Sequence, residues 1–222
     1  DASIYPAGYN HVISVAGTSS SDVKMSVSNY NYTVDVCAPG ELIYTTNWSN
    51  VYSPCTGTSF SSPIASGAAA LIKSRFPAYT AIQVGEQLKV TCDNIYSLNS
   101  STYANKLGSG RINLYKAITD STIPSVVLIR HSETDNNDDA FVANDTIQLT
   151  GYFTNYLAPS SAGLTATLSV LSGGTYVSVI DGSTVLGVIP RLGADSNATD
   201  PFRIKVLTTA PLNSSVLFKL TV

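Results

Sequence analysis

Ser59 is the residue of this chain whose setting best suits chemistry. It lies in Gly57-Thr58-Ser59-Phe60-Ser61-Ser62-Pro63, which runs on through Gly67 to the apolar tail Ala68-Ala69-Ala70-Leu71-Ile72. A serine hydroxyl at its own pKa is a weak nucleophile and needs an imidazole to take its proton and a carboxylate to orient that imidazole. The pattern predicts a small loop ending in the serine and a helix starting there, with Pro63 in the first turn, where its missing N–H is not needed. The free N–H groups and partial positive charge of a helix N-terminus suit the stabilisation of an oxyanion. From Ile64 to Ile72 the pattern is apolar on nearly every side, which predicts a helix buried inside a larger domain.

Other elements must hold that helix end in place. Strand patterns cover His11–Ala16, Thr33–Cys37 and Glu41–Thr45, with Ala38-Pro39-Gly40 as a sharp turn. Asn47 to Thr56 reads as a polar loop carrying Trp48 and Tyr52, with Tyr44 close by, a wall for the leaving-group side of a cleft. Arg75-Phe76-Pro77 stops the buried helix. Thr80 caps a second helix reaching about Val90, with Ile82 and Leu88 facing inward. Asn113 caps a short helix holding Leu114, Ala117 and Ile118.

The nucleophile segment, G-T-S-x-[AS]-x-P-x-x-x-G, resembles that of the subtilisin-like serine proteases. Three further blocks agree in order and spacing: Asp35-Val36-Cys37-Ala38-Pro39-Gly40, then Tyr5-Pro6-Ala7 with Val12–Ala16 and Ser26–Tyr30, and Gly108–Asn113 with Ala117. Valine at position 27 replaces the usual phenylalanine. The resemblance covers roughly residues 1–119. It implies the C-terminal portion of an α/β, parallel-sheet peptidase domain with Ser59 as catalytic nucleophile. It assigns Gly57, Thr58, Ile4 and Ala7 to oxyanion and substrate binding, with Ile4 near the base of an apolar specificity pocket. Phe60 takes a place usually held by methionine. The resemblance also implies a cation position formed by the carbonyls of Ala7, Tyr9 and Val12 with the carboxylate of Asp35, although Thr33 replaces a neighbouring acidic ligand. No cofactor is required, and a structural calcium or monovalent cation is the one inorganic partner implied. No metal-ligating side-chain set is assigned.

The family's Asp-[ST]-Gly and His-Gly-Thr motifs are missing from these residues, as is its Ala-Gly-Asn oxyanion segment. The two histidines are His11, followed by Val-Ile and read as a strand-entry residue, and His131, in the second half. The chain therefore holds one third of a triad. The expected partner is the N-terminal half of the same protease, as a separate chain produced by cleavage near Asp1 or left outside this sequence. That partner would cover an apolar patch on the nucleophile helix. The polypeptide substrate is the other partner. The alternative is a catalytically inactive scaffold that keeps the protease fold and binds or assembles through its second half.

Composition narrows the remaining classes. Charged residues make up 12% of 222, and the net charge is −3 without a basic cluster, which argues against nucleic acid. No apolar run approaches the ~20 residues that span a bilayer as a helix. A surface poor in Lys and Glu and rich in Ser, Thr, Asn and Tyr is the look of secreted or cell-surface proteins. Asn-x-Ser/Thr triplets at Asn31, Asn47, Asn99, Asn144, Asn197 and Asn213 read as exposed loops. Cys37, Cys55 and Cys92 are either buried free thiols or include one Cys37–Cys55 bridge.

At Thr119–Pro124 the composition shifts. Residues 1–119 form the peptidase region, residues 120–124 a linker, and residues 125–222 an accessory domain of short strands. Those strands are expected at 125–130, 146–153, 164–171, 176–180, 201–207 and 215–222, with Gly173-Gly174, Asp181-Gly182 and Asn213-Ser214 as turns. They suggest an immunoglobulin-like β-sandwich, and they loosely resemble the accessory β-modules of secreted bacterial proteases. In the acidic loop 133–145, Asp135, Asn137 and Asp139 alternate as calcium loops do. Ala140 and Thr146 stand where such a loop needs Gly and Glu, so a solvated turn is the competing reading.

Overall fold

The computed structural model describes residues 4–135, 137–138, 140–161 and 163–222. The chain divides into two compact units, Asp1–Ile123 and Pro124–Val222. The fold is mixed α/β, with the helices of more than one turn all in the first unit and antiparallel sheets dominating the second.

In the first unit, β1 (Val15–Thr18) and β2 (Val36–Pro39) pair in parallel, Val15 opposite Val36 and Thr18 opposite Pro39. β1 is shorter than the apolar run His11–Ala16 suggests. His11 sits at a left-handed φ of 66°, and Val12 donates its N–H to Tyr9 O, so the chain is still turning there. Pro39 continues the strand, and the turn begins only at Gly40.

The segment expected to be a polar loop is instead half of a hairpin. β3 (Ile43–Asn47) pairs antiparallel with β4 (Val51–Cys55) across Trp48-Ser49-Asn50. Asn47 Oδ1 accepts from Trp48 N, and Ser49 and Asn50 both take positive φ, the geometry that closes a short hairpin loop. Tyr44 and Tyr52 stack on one another with centroids 6.2 Å apart, and Trp48 at the tip is 83% exposed.

α1 (Thr58–Arg75) packs on both parallel strands. It buries Ser61, Ala65, Ala68 and Ile72, one stripe at i, i+4, i+7 and i+11. Contrary to the all-round burial expected from sequence, Gly67, Ala70 and Leu71 on its other faces are not buried, and Leu71 is 51% exposed. The small residues of the buried stripe let the helix backbone approach the sheet closely. Phe76 ends α1 by donating its N–H to Ile72 O, and Pro77 follows.

α2 (Ala81–Val90) starts in a full capping box. Thr80 accepts from Gln83 N, and the Gln83 side chain accepts from Thr80 N. Its inward residues are Gln83, Val84, Glu86, Gln87 and Leu88, whereas Ile82 is 43% exposed because it falls off that stripe. Gln87 Nε2 donates to Ala117 O and Asp120 O, tying α2 to α3 (Leu114–Thr119). Asn113 caps α3 by accepting from Lys116 N.

All three cysteines are free, so no Cys37–Cys55 bridge exists. Burial, then the neighbouring Cys92, pushes the Cys37 thiol up to about 12, and it behaves as a small core hydrophobe beside Ala16, Ile95 and Leu107.

Among the described residues the second unit has eight strands in two antiparallel sheets. β6 (Thr146–Asn155) is central to the larger sheet. One of its edges carries β5 (Val126–Thr134), and the other carries β10 (Ala194–Ser196) and β11 (Phe202–Val206), which in turn pairs with β8 (Val177–Asp181). The smaller sheet runs β12 (Leu217–Thr221), β7 (Leu164–Ser172), β9 (Ser183–Leu186). Phe153, Phe202, Ile204 and Val177 from the first sheet and Ala166, Leu168 and Leu186 from the second form one apolar core. Asn197 is not an exposed loop residue as its triplet suggests. It is 2% exposed, and its Oδ1 accepts from Gly151 N. Asp139 of the acidic loop lies outside the described residues. The carboxylates of Asp135 and Asp138 accept from Asn137 N and Ala140 N of their own turn.

Candidate active site

The N-terminus of α1 is fixed by a short ladder of backbone hydrogen bonds from the parallel sheet. Gly40 N donates to Thr18 O, Gly57 N donates to Gly40 O, and Phe60 N donates to Gly57 O. Gly57 has φ 157° and ψ 156°, a region that residues with a Cβ scarcely populate. Gly40 is required for a different reason. A Cβ there would run into Ser61 Oγ, Met25 Sδ and Gly57 O, so only glycine lets the end of β2 pass under the helix.

Thr58 is the first residue of α1 and half-buried, and Ser59 is the second and not fully buried. An N–H in the first helical turn has no carbonyl four residues back to bond, so Thr58 and Ser59 present N–H donors at the tip. Among the described residues no side-chain hydrogen bond engages the Ser59 hydroxyl. No acidic residue occupies the first turn, which leaves the partial positive charge of an 18-residue helix uncompensated at that point. Pro63 lies in the second turn, not the first as expected. It offers no N–H to the Ser59 carbonyl four residues back.

Below the tip, Ser61 Oγ and Thr18 Oγ1 are both fully buried and have no hydrogen-bond partner among the described residues. Such hydroxyls are uncommon and costly. Met25 packs in the same place, and its turn is held by the buried Lys24, whose Nζ donates to Met25 O and Ser28 O. Burial lowers the pKa of Lys24.

Ile4, Ala7 and Thr58 line a single hollow of about 130 Å³, together with Ser14, Thr33 and Val34. The fold thus brings three of the residues expected in substrate binding to one place beside the helix tip. Ile4 is 51% exposed and Ala7 half-buried. Gly57 shapes the backbone without lining the hollow. The sequence pattern did not reveal the parts of Gly40, Thr18 and Ser61, which meet only through long-range contacts. The Asn-x-x-Asn turn at positions 47–50 between two β-prone runs was the signal for the hairpin.

Asp35 Oδ2 accepts from Ser14 N, and burial raises its pKa in spite of that bond. One half-buried carboxylate with backbone carbonyls is a hard-oxygen donor set of the kind that suits calcium or an alkali cation. Here one carboxylate oxygen and the Tyr9 carbonyl already serve backbone N–H groups. Among the described residues, no group of three or more His, Cys, Asp or Glu could hold a metal. His131, in the second unit, lies with Nε2 3.0 Å from Glu133 Oε1. No helix among the described residues is long and apolar enough to cross a membrane.

Residues 2–113 match the Subtilase family. Similar curated proteins include subtilisin DY of Bacillus licheniformis, 41% identical over 113 residues covering 51% of this chain and 39% of that protein. Thermitase of Thermoactinomyces vulgaris is 39% identical over 114 residues, covering 51% and 38%. The chain spans about two fifths of the length of these relatives. A solved protease of Pseudoalteromonas arctica aligns with TM-score 0.44 at 26% identity over 51% of this chain and 37% of its own.

Proposed function

The chain belongs to the Subtilase family through residues 2–113, and on that premise we propose that it is the nucleophile-bearing portion of a serine endopeptidase, with Ser59 as the attacking residue. The observation that carries this reading is an accessible serine, its hydroxyl unengaged, at the open N-terminus of a long helix within the family-matching span. Ser59 Oγ attacks the substrate carbonyl carbon as its proton passes to an imidazole. The Ser59 N–H and the Thr58 hydroxyl donate to the resulting oxyanion. Collapse of the tetrahedral species breaks the C–N bond, the amine leaves with the imidazole's proton, and water then hydrolyses the acyl-enzyme.

The imidazole and its orienting carboxylate come from an upstream half of the same protease, present as a separate polypeptide or segment. The open faces of α1 at Gly67, Ala70 and Leu71 are what that half covers. Ile4 and Ala7, beside Thr58, receive the side chain preceding the cleaved bond. Catalysis needs no cofactor, and a calcium or monovalent ion at the carbonyls of Ala7, Tyr9 and Val12 with Asp35 would serve structure only. Residues 125–222 form an immunoglobulin-like accessory module, supported by the common core of their two antiparallel sheets, and residues 120–124 link it to the peptidase region formed by residues 1–119. The whole acts on polypeptides outside the cell.

The test is labelling by a serine-directed fluorophosphonate of this chain assembled with its upstream half. Modification mapped to Ser59, abolished in Ser59→Ala, supports the reading. A properly assembled protein that resists labelling overturns it in favour of a non-catalytic scaffold.

A further inference from the structure

The hollow beside the tip of α1 owes one wall to Ser28, Asn29 and Tyr30, which line it together with Ile4, Ala7 and Thr58. Ser26, Val27 and Asn29 are exposed, so apolar packing does little to hold this segment. Lys24, only 7% exposed, holds it instead. Its Nζ donates to Met25 O at 2.5 Å and to Ser28 O at 2.6 Å, and stands 5.2 Å from the ring centroids of both Tyr30 and Tyr103. Those two rings meet edge to face at 4.6 Å. Gly17 N completes the anchor by donating to Ser28 Oγ. Two carbonyls and an aromatic face of one wall therefore converge on one ammonium, and bonds from a charged donor are about twice as strong as neutral ones. Among the described residues no carboxylate pairs with Lys24. Asp22, two positions earlier, pairs with Arg111 at 2.7 Å.

We propose that Lys24 is a positioning residue for substrate: by gathering the carbonyls of Met25 and Ser28 beside the Tyr30 ring, it fixes the wall of the hollow and so sets which side chain is accepted before the cleaved bond. This inference rests on the reading of the hollow as the place that receives that side chain. Lys24 does not itself line the hollow, so it acts through Ser28, Asn29 and Tyr30. No Asp, Glu, Lys or Arg lines the hollow either, so shape decides what fits. Its volume of about 130 Å³ leaves little slack, since a cavity of ~150 Å³ is filled by benzene. In so small a site one methylene more or less changes selection ~10–200-fold, and a wall displaced by that width changes it likewise. Folding alone does not call for an ammonium here, because replacing a buried charge by an apolar side chain of similar length is often neutral for stability. Lys24→Met thus separates positioning from folding.

The experiment uses this chain assembled with its upstream half, and peptide amides that differ only in alanine, leucine or phenylalanine before the cleaved bond. In Lys24→Met the expected result is a KM raised about tenfold with kcat within about twofold, and a spread of kcat/KM among the three peptides narrowed about threefold or more. A small methyl fluorophosphonate, which does not fill the hollow, should label Ser59 at the parent's rate. Unchanged KM and spread overturn the proposal. An equal loss on all three peptides with a lowered denaturation midpoint overturns it too, because Lys24 is then a structural residue only. A parent that resists labelling at Ser59 overturns the peptidase reading and this inference with it, whereas a labelled parent and an indifferent Lys24→Met overturn this inference alone. Should Lys24→Met fail to assemble, the pH profile of the parent decides. Burial lowers the pKa of Lys24, so its ammonium gives up its proton below the ordinary lysine value. Around it stand the Tyr30 and Tyr103 phenols, Lys106 at 5.5 Å from the Tyr30 centroid, Asp22 paired with Arg111, and Cys37 of β2, whose thiol is pushed up to about 12. KM should rise several-fold as pH climbs through the lowered value, with the labelling rate unaffected. A KM that stays flat up to pH 10.5, the ordinary lysine value, overturns the proposal.

Discussion

Two buried polar sites, one in each unit, are treated in opposite ways. In the second unit Asn155 is fully buried and satisfied at every position. Its Oδ1 accepts from Ser125 N and Leu157 N, and its Nδ2 donates to Ala158 O and Ile189 O. One side chain thereby fixes the start of β5, the loop after β6 and the segment beyond β9. In the first unit, under the N-terminus of α1, the Thr18 and Ser61 hydroxyls are equally buried and bond to nothing among the described residues. Buried amides with full sets of partners specify a fold. Orphaned hydroxyls weaken one, and here one of them lies two residues from Ser59. Departures of this kind from local consistency concentrate at functional sites. The comparison teaches that Asn155 holds three segments of the second unit in place, whereas the segment under α1 accepts a cost to bring a helix end, two glycines and a sheet edge into close approach.

Several substitutions test that contrast. The largest effect belongs to Ser59→Ala in the assembled protein, which should reduce hydrolysis to background while leaving the denaturation midpoint unchanged. A comparable loss of stability would make Ser59 a structural residue like Asn155. Next, Asn155→Ala should destabilise the second unit by about 3 kcal/mol, since it removes four hydrogen bonds to the surrounding backbone, and of the two carbonyls only that of Ile189 keeps another donor, Ser160 N. Urea denaturation should show this with no change in Ser59 labelling. Ser61→Ala should act in the opposite sense. Removing an unpartnered hydroxyl from a helix interior should be neutral or raise stability by up to about 1 kcal/mol. A clear destabilisation would mean that the hydroxyl has a partner, and the contrast would fail. Thr80→Ala, which breaks the capping box of α2, should cost about 1 kcal/mol in the first unit alone.

The smallest effect concerns pH. The Lys116 ammonium donates to Asp93, with Asn113 and Arg111 adding to it, and these groups hold the Asp93 carboxyl below its usual range against the opposing effect of burial. A depressed folded pKa adds stability at neutral pH that is lost as pH falls through that lowered value. Asp93→Asn should therefore lower the midpoint at neutral pH and flatten its decline in acid. Identical pH profiles for the two proteins would show that the cluster contributes nothing.

Local signals gave a good account of elements whose ends carry their own chemistry. Thr80 with Gln83, Asn113, and Phe76-Pro77 mark helix ends because capping and proline effects act over three or four residues. The β-prone runs of 146–153 and 164–171 fall within β6 and β7, because alternation is a local property of strands. Elements that depend on a distant partner were misread. Val12 and Ile13 look like strand but lie outside it, since pairing with β2 begins only at Val15. The polar stretch after Asn47 looks like loop but forms β4, because its register is set by β3 and not by its own hydrophobicity. Ile82 reads as inward by type alone, yet Gln83 and Gln87 take the buried stripe. For Gln87 the reason is that carbonyls at α3 are there to receive an amide.

By itself, the order of residues determined the chemistry on offer: a serine after Gly-Thr at the head of a small-residue helix, and a second half made of strands. These follow from side-chain type and near-neighbour spacing. The tertiary structure alone decided which groups meet beneath that serine and which face of α1 is left open. Those outcomes depend on contacts between residues far apart along the chain, and such contacts leave no periodic trace in its sequence.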